Sequence, residues 1–151
     1  MDHPKDVGDR TTLAVVMALQ ERGFQVFIPF GENTRYDLVI DDGTSLERVQ
    51  CKTGRLRSGA IVFKTCSSYA HHSNPASRAR DYHGEIDRFG VYCPETHGVY
   101  LVPIAELPSR FNASLRVEPA RNGQARRIRT ADDYLVGRVA VTAEPDATSG
   151  A

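Results

Sequence analysis

The pattern of apolar and polar positions predicts one helix followed by a series of strands. Near the start of the chain, apolar residues recur at helical spacing and predict a largely buried helix over residues 9–22. Asp9 suits the N-cap of this helix, and Gly23 suits the position just after its last turn. The apolar stripe consists of Leu13, Val15, Val16, Met17 and Leu19.

After the helix, the pattern changes to the short apolar runs that are typical of β-strands. This order of elements predicts an α/β (α+β) fold, with a mixed sheet and a helix on at least one face. A long polar loop is expected over residues 67–83, and a capped helical turn over residues 130–134. The predicted strands are residues 24–30, 36–40, 48–53, 60–66, 86–93 and 99–103, with a short edge strand at 115–117.

The length of 151 residues fits a single domain, which we assign to residues 1–142, followed by a disordered tail over residues 143–151. No apolar run reaches the roughly 18 residues of a membrane span, and the first residues lack the apolar segment of a signal peptide. The three cysteines, Cys51, Cys66 and Cys93, lie in strand-like surroundings. Buried free thiols in a cytoplasmic protein are therefore expected.

The strand patterns on either side of residues 41–44 predict a β-hairpin. A two-residue loop would place Asp37 opposite Arg48, whereas a four-residue loop would place Asp37 opposite Gln50. Because side chains alternate between faces, either loop leaves Asp37, Gln50 and Lys52 on one face. The buried face then carries Leu38, Ile40, Val49 and Cys51.

That shared face collects a carboxylate, a second polar ligand and a lysine. Opposed side chains in a hairpin lie about 5 Å apart at Cβ and diagonal ones about 7 Å, which is close enough to share a cation or its bound waters. These groups are the ones needed to cut a phosphodiester with a hydrated divalent cation. An ordinary hairpin with a surface Lys–Asp pair explains the same three residues, so the hairpin alone leaves both interpretations open.

The net charge is zero, but the charges are unevenly distributed. Residues 51–90 contain seven basic and three acidic side chains, and residues 110–129 contain six arginines and one glutamate. Such clustering beside Lys52 favours a groove for a polyanion over a solvated surface with counter-charges across space. The candidate DNA-binding residues are Arg35, Arg55, Arg57, Lys64, Arg78, Arg80, Arg126 and Arg127.

Other residues admit weaker interpretations. Zinc is a minor alternative, because the available histidines and cysteines form no paired CxxC or HxxxH frame. Tyr82 is a candidate for a place near the site, whereas Tyr92 is expected in the core and Asp87 beside an arginine. The residues considered for zinc are His71, His72, His83, His97, Cys66 and Cys93.

Taken together, these segments resemble the PD-(D/E)xK nuclease superfamily, and more narrowly its branch of group I intron-encoded homing endonucleases. The resemblance covers about residues 8–105. It implies a restriction-endonuclease-like fold, with a central mixed β-sheet flanked by helices. The resembling segments are Gly8-Asp9, Gly23-Phe24, Pro29 to Asn33, Arg35 to Val39, Val49 to Gly54, Tyr82, Asp87 to Tyr92 and Tyr100 to Pro103.

The resemblance assigns roles to residues of the hairpin. Asp37 matches the metal-binding aspartate, Lys52 matches the motif lysine, and Gln50 stands where most of the superfamily has glutamate. As a hypothesis, Asp37 and the backbone carbonyl of Cys51 hold Mg²⁺, or Mn²⁺ in its place, and Gln50 supplies a neutral oxygen. The family's acid on the first helix falls near Thr12, so the remaining candidate metal ligands are Asp9 and Glu32.

The implied function is a Mg²⁺-dependent DNA endonuclease that acts on double-stranded DNA as a homodimer or homotetramer. One alternative is a non-catalytic DNA-binding module of the same fold, which Thr12 and Gln50 favour. The other alternative is a nuclease with a different target, such as a branched junction or RNA.

Overall fold

The computed structural model describes residues 3–31, 33–68, 79–107, 111–119 and 128–141. Helix α1 spans Pro4–Glu21 and therefore begins before the predicted start at residue 9. The His3 side chain accepts the Lys5 N–H at 3.2 Å, and Pro4 fits the first turn because its missing N–H needs no partner there. Asp9 as N-cap is thus wrong, whereas Gly23 follows the helix at a φ of 99° as predicted.

The strands are numbered in chain order. They are β1 Gln25–Phe27, β2 Leu38–Asp41, β3 Leu46–Thr53, β4 Arg55–Arg57, β5 Ala60–Lys64, β6 Cys66–Ser68, β7 Ala79–Asp81, β8 Arg88–Cys93, β9 Gly98–Pro103, β10 Asn112–Arg116 and β11 Leu135–Arg138. Short 3₁₀ turns occupy Ile104–Glu106 and Ala131–Tyr134. The second of these is the predicted helical turn, although its N-cap residue Thr130 makes no side-chain capping bond.

Three sheets are formed within the described residues. The main sheet has six strands in the order β1-β2-β3-β8-β9-β11. Its central pair, β3 and β8, is parallel, and the other neighbours are antiparallel, so the predicted mixed sheet is confirmed. The order β10-β5-β4 makes a three-stranded sheet with β10 at its edge, and β6 pairs with β7.

The main sheet is covered on both faces. Helix α1 packs on one face, over a buried cluster that includes Leu38, Ile40, Val49 and Cys51. On the other face, Ile61, Phe63 and Leu115 from the three-stranded sheet join Phe89 and Val91 in a second cluster. The fold class is the predicted one, but in the described part of the chain the second layer is a small sheet instead of a helix.

The buried face of α1 differs from the predicted stripe. Leu13 and Met17 are about half exposed, whereas Val15 and Leu19 are buried as expected. Small residues allow close approach to the sheet: a Cβ at Gly90 of β8 would lie only 2.9 Å from Val15 Cγ1. The pattern of large apolar residues missed this because alanines and a threonine make the contact face. The buried residues of α1 are Thr11, Ala14, Val15, Ala18 and Leu19.

The cysteine prediction is confirmed, since Cys51, Cys66 and Cys93 are buried free thiols. Tyr92 is also in the core as predicted, where its hydroxyl donates to the Val139 carbonyl at 2.9 Å. No helix in the described part of the chain is long and apolar enough to cross a membrane. Most of the predicted loop at 67–83 and the tail from 143 lie outside the described residues.

Candidate active site

The hairpin of β2 and β3 adopts the four-residue alternative. Asp41 lies opposite Leu46, and the register continues to Leu38 opposite Val49. The turn is stabilised by Asp42, whose Oδ1 accepts the backbone N–H groups of Thr44 and Ser45 at 2.8 and 2.9 Å. The Thr44 hydroxyl and these N–H groups lower the pKa of Asp42 to about 2. If this register is extended by one residue beyond Leu38, Asp37 lies opposite Gln50.

The two faces of the hairpin divide as the alternation predicts. Leu38, Ile40, Val49 and Cys51 are buried toward α1. The half-buried side chains of Asp37, Gln50 and Lys52 belong to the opposite face. The sequence pattern therefore predicted which residues of the hairpin share the candidate site.

The Asp37 carboxylate is held against the backbone of β3. Its Oδ2 accepts the Cys51 N–H at 2.8 Å, and the Asp37 N–H donates to the Val49 carbonyl at 2.9 Å. Burial raises the pKa of Asp37, although the Cys51 N–H and the nearby charge of Lys52 act in the opposite direction. This carboxylate thus lies where an additional positive charge would stabilise its ionised form.

The Gln50 amide lies next to the Cys51 carbonyl. The Cys51 carbonyl accepts a long hydrogen bond, at 3.4 Å, from Nε2 of Gln50. A carboxylate, a carbonyl and an amide oxygen suit a hard divalent cation that retains several waters. The Cys51 thiol packs on the helix face, and burial raises its pKa, so it remains a neutral packing group. The donor set of Asp37, Cys51 and Gln50 therefore fits Mg²⁺ or Mn²⁺ through oxygen atoms.

Lys52 extends from the same strand to oxygen atoms of a different part of the chain. Its Nζ donates to the Cys66 carbonyl of β6 at 3.1 Å and to the Tyr82 hydroxyl at 3.2 Å. Tyr82, which the sequence left undecided, thus belongs to the surroundings of the site. No local sequence signal could have placed it there, because its position depends on the pairing of β6 with β7.

The helix contributes threonines to the neighbourhood of the site. Thr11 Oγ1 lies 2.6 Å from Thr53 Oγ1, and Thr12 is within hydrogen-bonding reach of the Cys51 thiol. Asp9 is exposed on α1, and Glu32 lies outside the described residues. Across the residues that the structure describes, no three His, Cys, Asp or Glu side chains form a group that could hold a metal ion. Of the predicted metal ligands, Asp37 is the carboxylate that the structure holds against β3.

Apart from Arg35, the predicted DNA-binding residues fall into three groups. Arg55, Arg57 and Lys64 are exposed on the three-stranded sheet, with Arg55 Nη1 at 4.0 Å from Glu95. Arg80 on β7 forms an ion pair with Glu85 at 2.9 Å. The third group, Arg78, Arg126 and Arg127, lies outside the described residues, as do His71 and His72.

Arg35 contacts protein groups on several sides. Its guanidinium stacks 4.0 Å from the centre of the Tyr82 ring, and Nη1 donates to Ser67 Oγ at 2.6 Å. Nη2 donates to the Asp81 carbonyl at 2.8 Å. Nε lies 3.2 Å from Glu85 Oε2, an ion pair in which the N–H does not point along a hydrogen bond. The predicted role of this arginine in DNA binding was based on charge alone and missed these contacts.

Asp87 pairs with an arginine as predicted. Its carboxylate lies 3.1 Å from Arg48 Nε and accepts the Arg48 N–H at 2.8 Å. These bonds hold the pKa of Asp87 below its usual range. The Arg48–Asp87 pair joins β3 to the residue just before β8, where the parallel pairing of these two strands begins. Arg48 lies two residues before Gln50, so the pair is beside the candidate site.

The mixed sheet thus carries the Asp37 carboxylate and the Lys52 ammonium on one face of the β2–β3 hairpin. A model of the PD-(D/E)XK endonuclease family matches residues 2–136, and the chain belongs to this family. Its structure is similar to that of a bacterial homing endonuclease, I-Ssp6803I, with a TM-score of 0.71, 23% sequence identity and 89% of each chain covered. No curated protein sequence matches the chain.

Proposed function

We propose that this protein is a DNA endonuclease that hydrolyses phosphodiester bonds with Mg²⁺, or with Mn²⁺ in its place. The observation that carries the proposal is the contact of the Asp37 carboxylate with the Cys51 backbone, one residue before Lys52, in a member of a nuclease family. Members of the PD-(D/E)XK family generally use divalent metals, and the oxygen donors of this site suit one.

In this proposal, some residues of the site bind the cation and Lys52 contacts the phosphate. Asp37, the Cys51 carbonyl and the Gln50 side chain would hold the cation. A bound divalent cation would polarise the scissile phosphate and activate a water for attack. Lys52 would stabilise the negative charge that develops on the phosphate, because a fixed ammonium is most effective at a partly buried site.

The position of the third ligand affects how tightly the cation is held. A neutral Gln50 leaves one negative charge at the described site, so metal affinity should be weaker than in a site with two carboxylates. Asp9 and Glu32 remain our candidates for a further acidic ligand. Bound DNA also supplies phosphate oxygens, which complete the coordination of Mg²⁺ in many nucleotide-processing sites.

We further infer that the substrate is double-stranded DNA. The exposed Arg55, Arg57 and Lys64 support this, because cations on one sheet suit a row of phosphates. The similarity to a bacterial homing endonuclease also supports DNA as the substrate. With one site in each chain, a homodimer or homotetramer is the simplest means of cutting both strands. We assign the protein to the cytoplasm, as its free thiols suggest.

A second candidate is a DNA-binding module of the same fold that has lost catalysis, and a third is a nuclease selective for branched junctions. The absence of a metal-holding group of three His, Cys, Asp or Glu side chains in the described residues, and the presence of Thr12 near Cys51, favour the second. A junction-selective nuclease would use the same three residues as the leading candidate and would differ only in the DNA that it cuts.

Plasmid cleavage separates the leading candidate from the second. Supercoiled DNA carrying a randomised insert would be incubated with Mg²⁺, Mn²⁺ or EDTA, using the wild-type protein, Lys52→Ala and the control Lys5→Ala. Lys5 is exposed near the start of α1, so its loss tests for a general effect of charge. We expect cleavage that requires the metal, persists in Lys5→Ala and is lost in Lys52→Ala. DNA binding without cleavage by the wild-type protein, under every metal condition, would overturn the proposal and favour the second candidate.

A further inference from the structure

The Lys52 ammonium is held by two oxygen atoms, one on strand β6 and one on the residue that directly follows its partner strand β7. Cys66 lies opposite Asp81 in this pairing. Tyr82 directly follows Asp81 in the sequence and is therefore close to Cys66. Nζ of Lys52 donates to the Cys66 carbonyl at 3.1 Å and to the Tyr82 hydroxyl at 3.2 Å. Strand pairing therefore fixes the spacing of the two acceptors.

Tyr82 is itself firmly held. Its side chain is 4% exposed, and its ring packs edge-on against Phe89 with centroids 5.7 Å apart. The guanidinium of Arg35 stacks on the ring and donates to the Asp81 carbonyl. The phenol group consequently has little freedom to move, and DNA would not contact it directly.

A lysine ammonium has three N–H donors on a flexible four-carbon stem. In the described contacts of Lys52, two donors are directed to Cys66 and Tyr82. This arrangement leaves one donor for an oxygen of the substrate phosphate. A stem held in this way loses less conformational freedom when the phosphate binds.

We propose that Tyr82 is a positioning residue, which orients the Lys52 ammonium toward the scissile phosphate. This inference rests on the proposed function of Lys52. A positioning role and a purely structural role for Tyr82 make different predictions. If Tyr82 positions Lys52, loss of the hydroxyl should slow the chemical step, while DNA affinity and folding stay close to those of the wild type.

The test compares Tyr82→Phe with the matched control Tyr92→Phe. Each variant removes one buried hydroxyl that makes a hydrogen bond, but the Tyr92 hydroxyl bonds to Val139 in the cluster beneath α1. Single-turnover cleavage at saturating DNA should fall about tenfold or more in Tyr82→Phe, as expected for losing a hydrogen bond to a charged group. Its Kd for DNA should remain within about twofold of wild type, and Tyr92→Phe should match the wild type in both measurements.

A second measurement tests the Lys52–Tyr82 hydrogen bond without depending on DNA cleavage. The sequence contains three lysines, Lys5, Lys52 and Lys64, so acylation of each can be followed separately by mass spectrometry. In the wild-type protein at one fixed pH, Lys52 should react about tenfold more slowly than exposed Lys5, because its donors are engaged. Tyr82→Phe should raise the rate at Lys52 several-fold and leave Lys5 and Lys64 unchanged.

The outcomes are distinct. Slower cleavage with unchanged Kd and faster acylation of Lys52 supports the inference. If Tyr82→Phe cleaves DNA at the wild-type rate, or if its Lys52 is acylated at the wild-type rate, the inference is overturned. If Tyr82→Phe does not fold, acylation of wild-type Lys52 as fast as Lys5 overturns it. If the wild-type protein cuts no DNA, the proposed function fails, and acylation alone still decides whether Tyr82 holds the ammonium.

Discussion

The Asp37 carboxylate takes the place of a backbone acceptor for Cys51. Asp37 lies one residue before β2 begins, and its Oδ2 accepts the Cys51 N–H at 2.8 Å. A side chain thereby completes a position in the sheet that β2 leaves open, next to the Cys51 carbonyl. The same bond explains how this half-buried carboxylate on the site face is directed at the backbone of the strand that carries Lys52.

This relationship predicts that Asp37→Asn separates catalysis from folding. Asparagine keeps an oxygen that can accept the Cys51 N–H, so the thermal midpoint should change little. Metal-dependent cleavage should fall by about a hundredfold or more, because the negative charge that holds the cation is lost. Plasmid cleavage and thermal unfolding measured on the same preparation test this, with Asp41→Asn at the other end of β2 as control. Wild-type cleavage by Asp37→Asn would refute the metal-binding role.

Gln50→Glu should strengthen cation binding. The added charge restores the second carboxylate that most of the superfamily has, and affinity at oxygen sites rises with the number of charged ligands. We expect the Kd for Mn²⁺ to fall about tenfold in isothermal titration of the DNA-free protein, the scale of 1.4 kcal/mol of added attraction. An unchanged Mn²⁺ affinity would mean that the Gln50 side chain does not reach the cation.

Much of the site was predictable because it is local in sequence. The alternation along residues 37–52 predicted which side chains share a face, and the structure selects the four-residue loop from the two that the pattern allowed. Contacts that depend on distant parts of the chain were not predictable. The Arg35–Tyr82 stack and the Cys66 carbonyl beside Lys52 arise from the pairing of β6 with β7, which are separated by ten residues in the sequence.

The fold shows the same division. Long apolar runs predicted β8 and β9, which are buried on both faces, but β4 and β11 are short and only partly buried, so they carry no clear pattern. The helix was predicted, but its buried face was not. Its contact with the sheet depends on the absence of a side chain at Gly90, on a strand about 70 residues later. The spacing of apolar residues within the helix gives no information about that distant glycine.

The Arg48–Asp87 pair should make stability depend on acid pH. Because the pKa of Asp87 is lower in the folded protein than in the unfolded chain, its contribution is full above the unfolded value of about 4 and is lost as pH falls through the folded pKa. The side chains are 38% and 39% exposed, so solvent screening limits the effect to less than about 1 kcal/mol. Urea unfolding of the wild type and Asp87→Asn between pH 6 and pH 3 should give free energies that converge toward the acid end. A constant difference across this range would contradict the prediction.

Gly54 should be intolerant of any side chain. It follows β3 directly, and a Cβ there would lie 2.6 Å from Ile61 Cγ2 and 2.9 Å from Val91 Cγ1. Both neighbours are buried and β-branched, so they have little room to rotate away. Gly54→Ala should therefore lower the free energy of unfolding by about 1–3 kcal/mol, the usual cost of overpacking.

Gly8→Ala is the matched control, because a Cβ at this helical position meets nothing within 4 Å. This variant should gain about 0.5–1 kcal/mol from the better helix propensity of alanine. Urea unfolding of both variants measures the two effects with the same probe. If Gly54→Ala is as stable as the wild type, the main sheet and the three-stranded sheet are packed less closely behind Lys52 than these distances require.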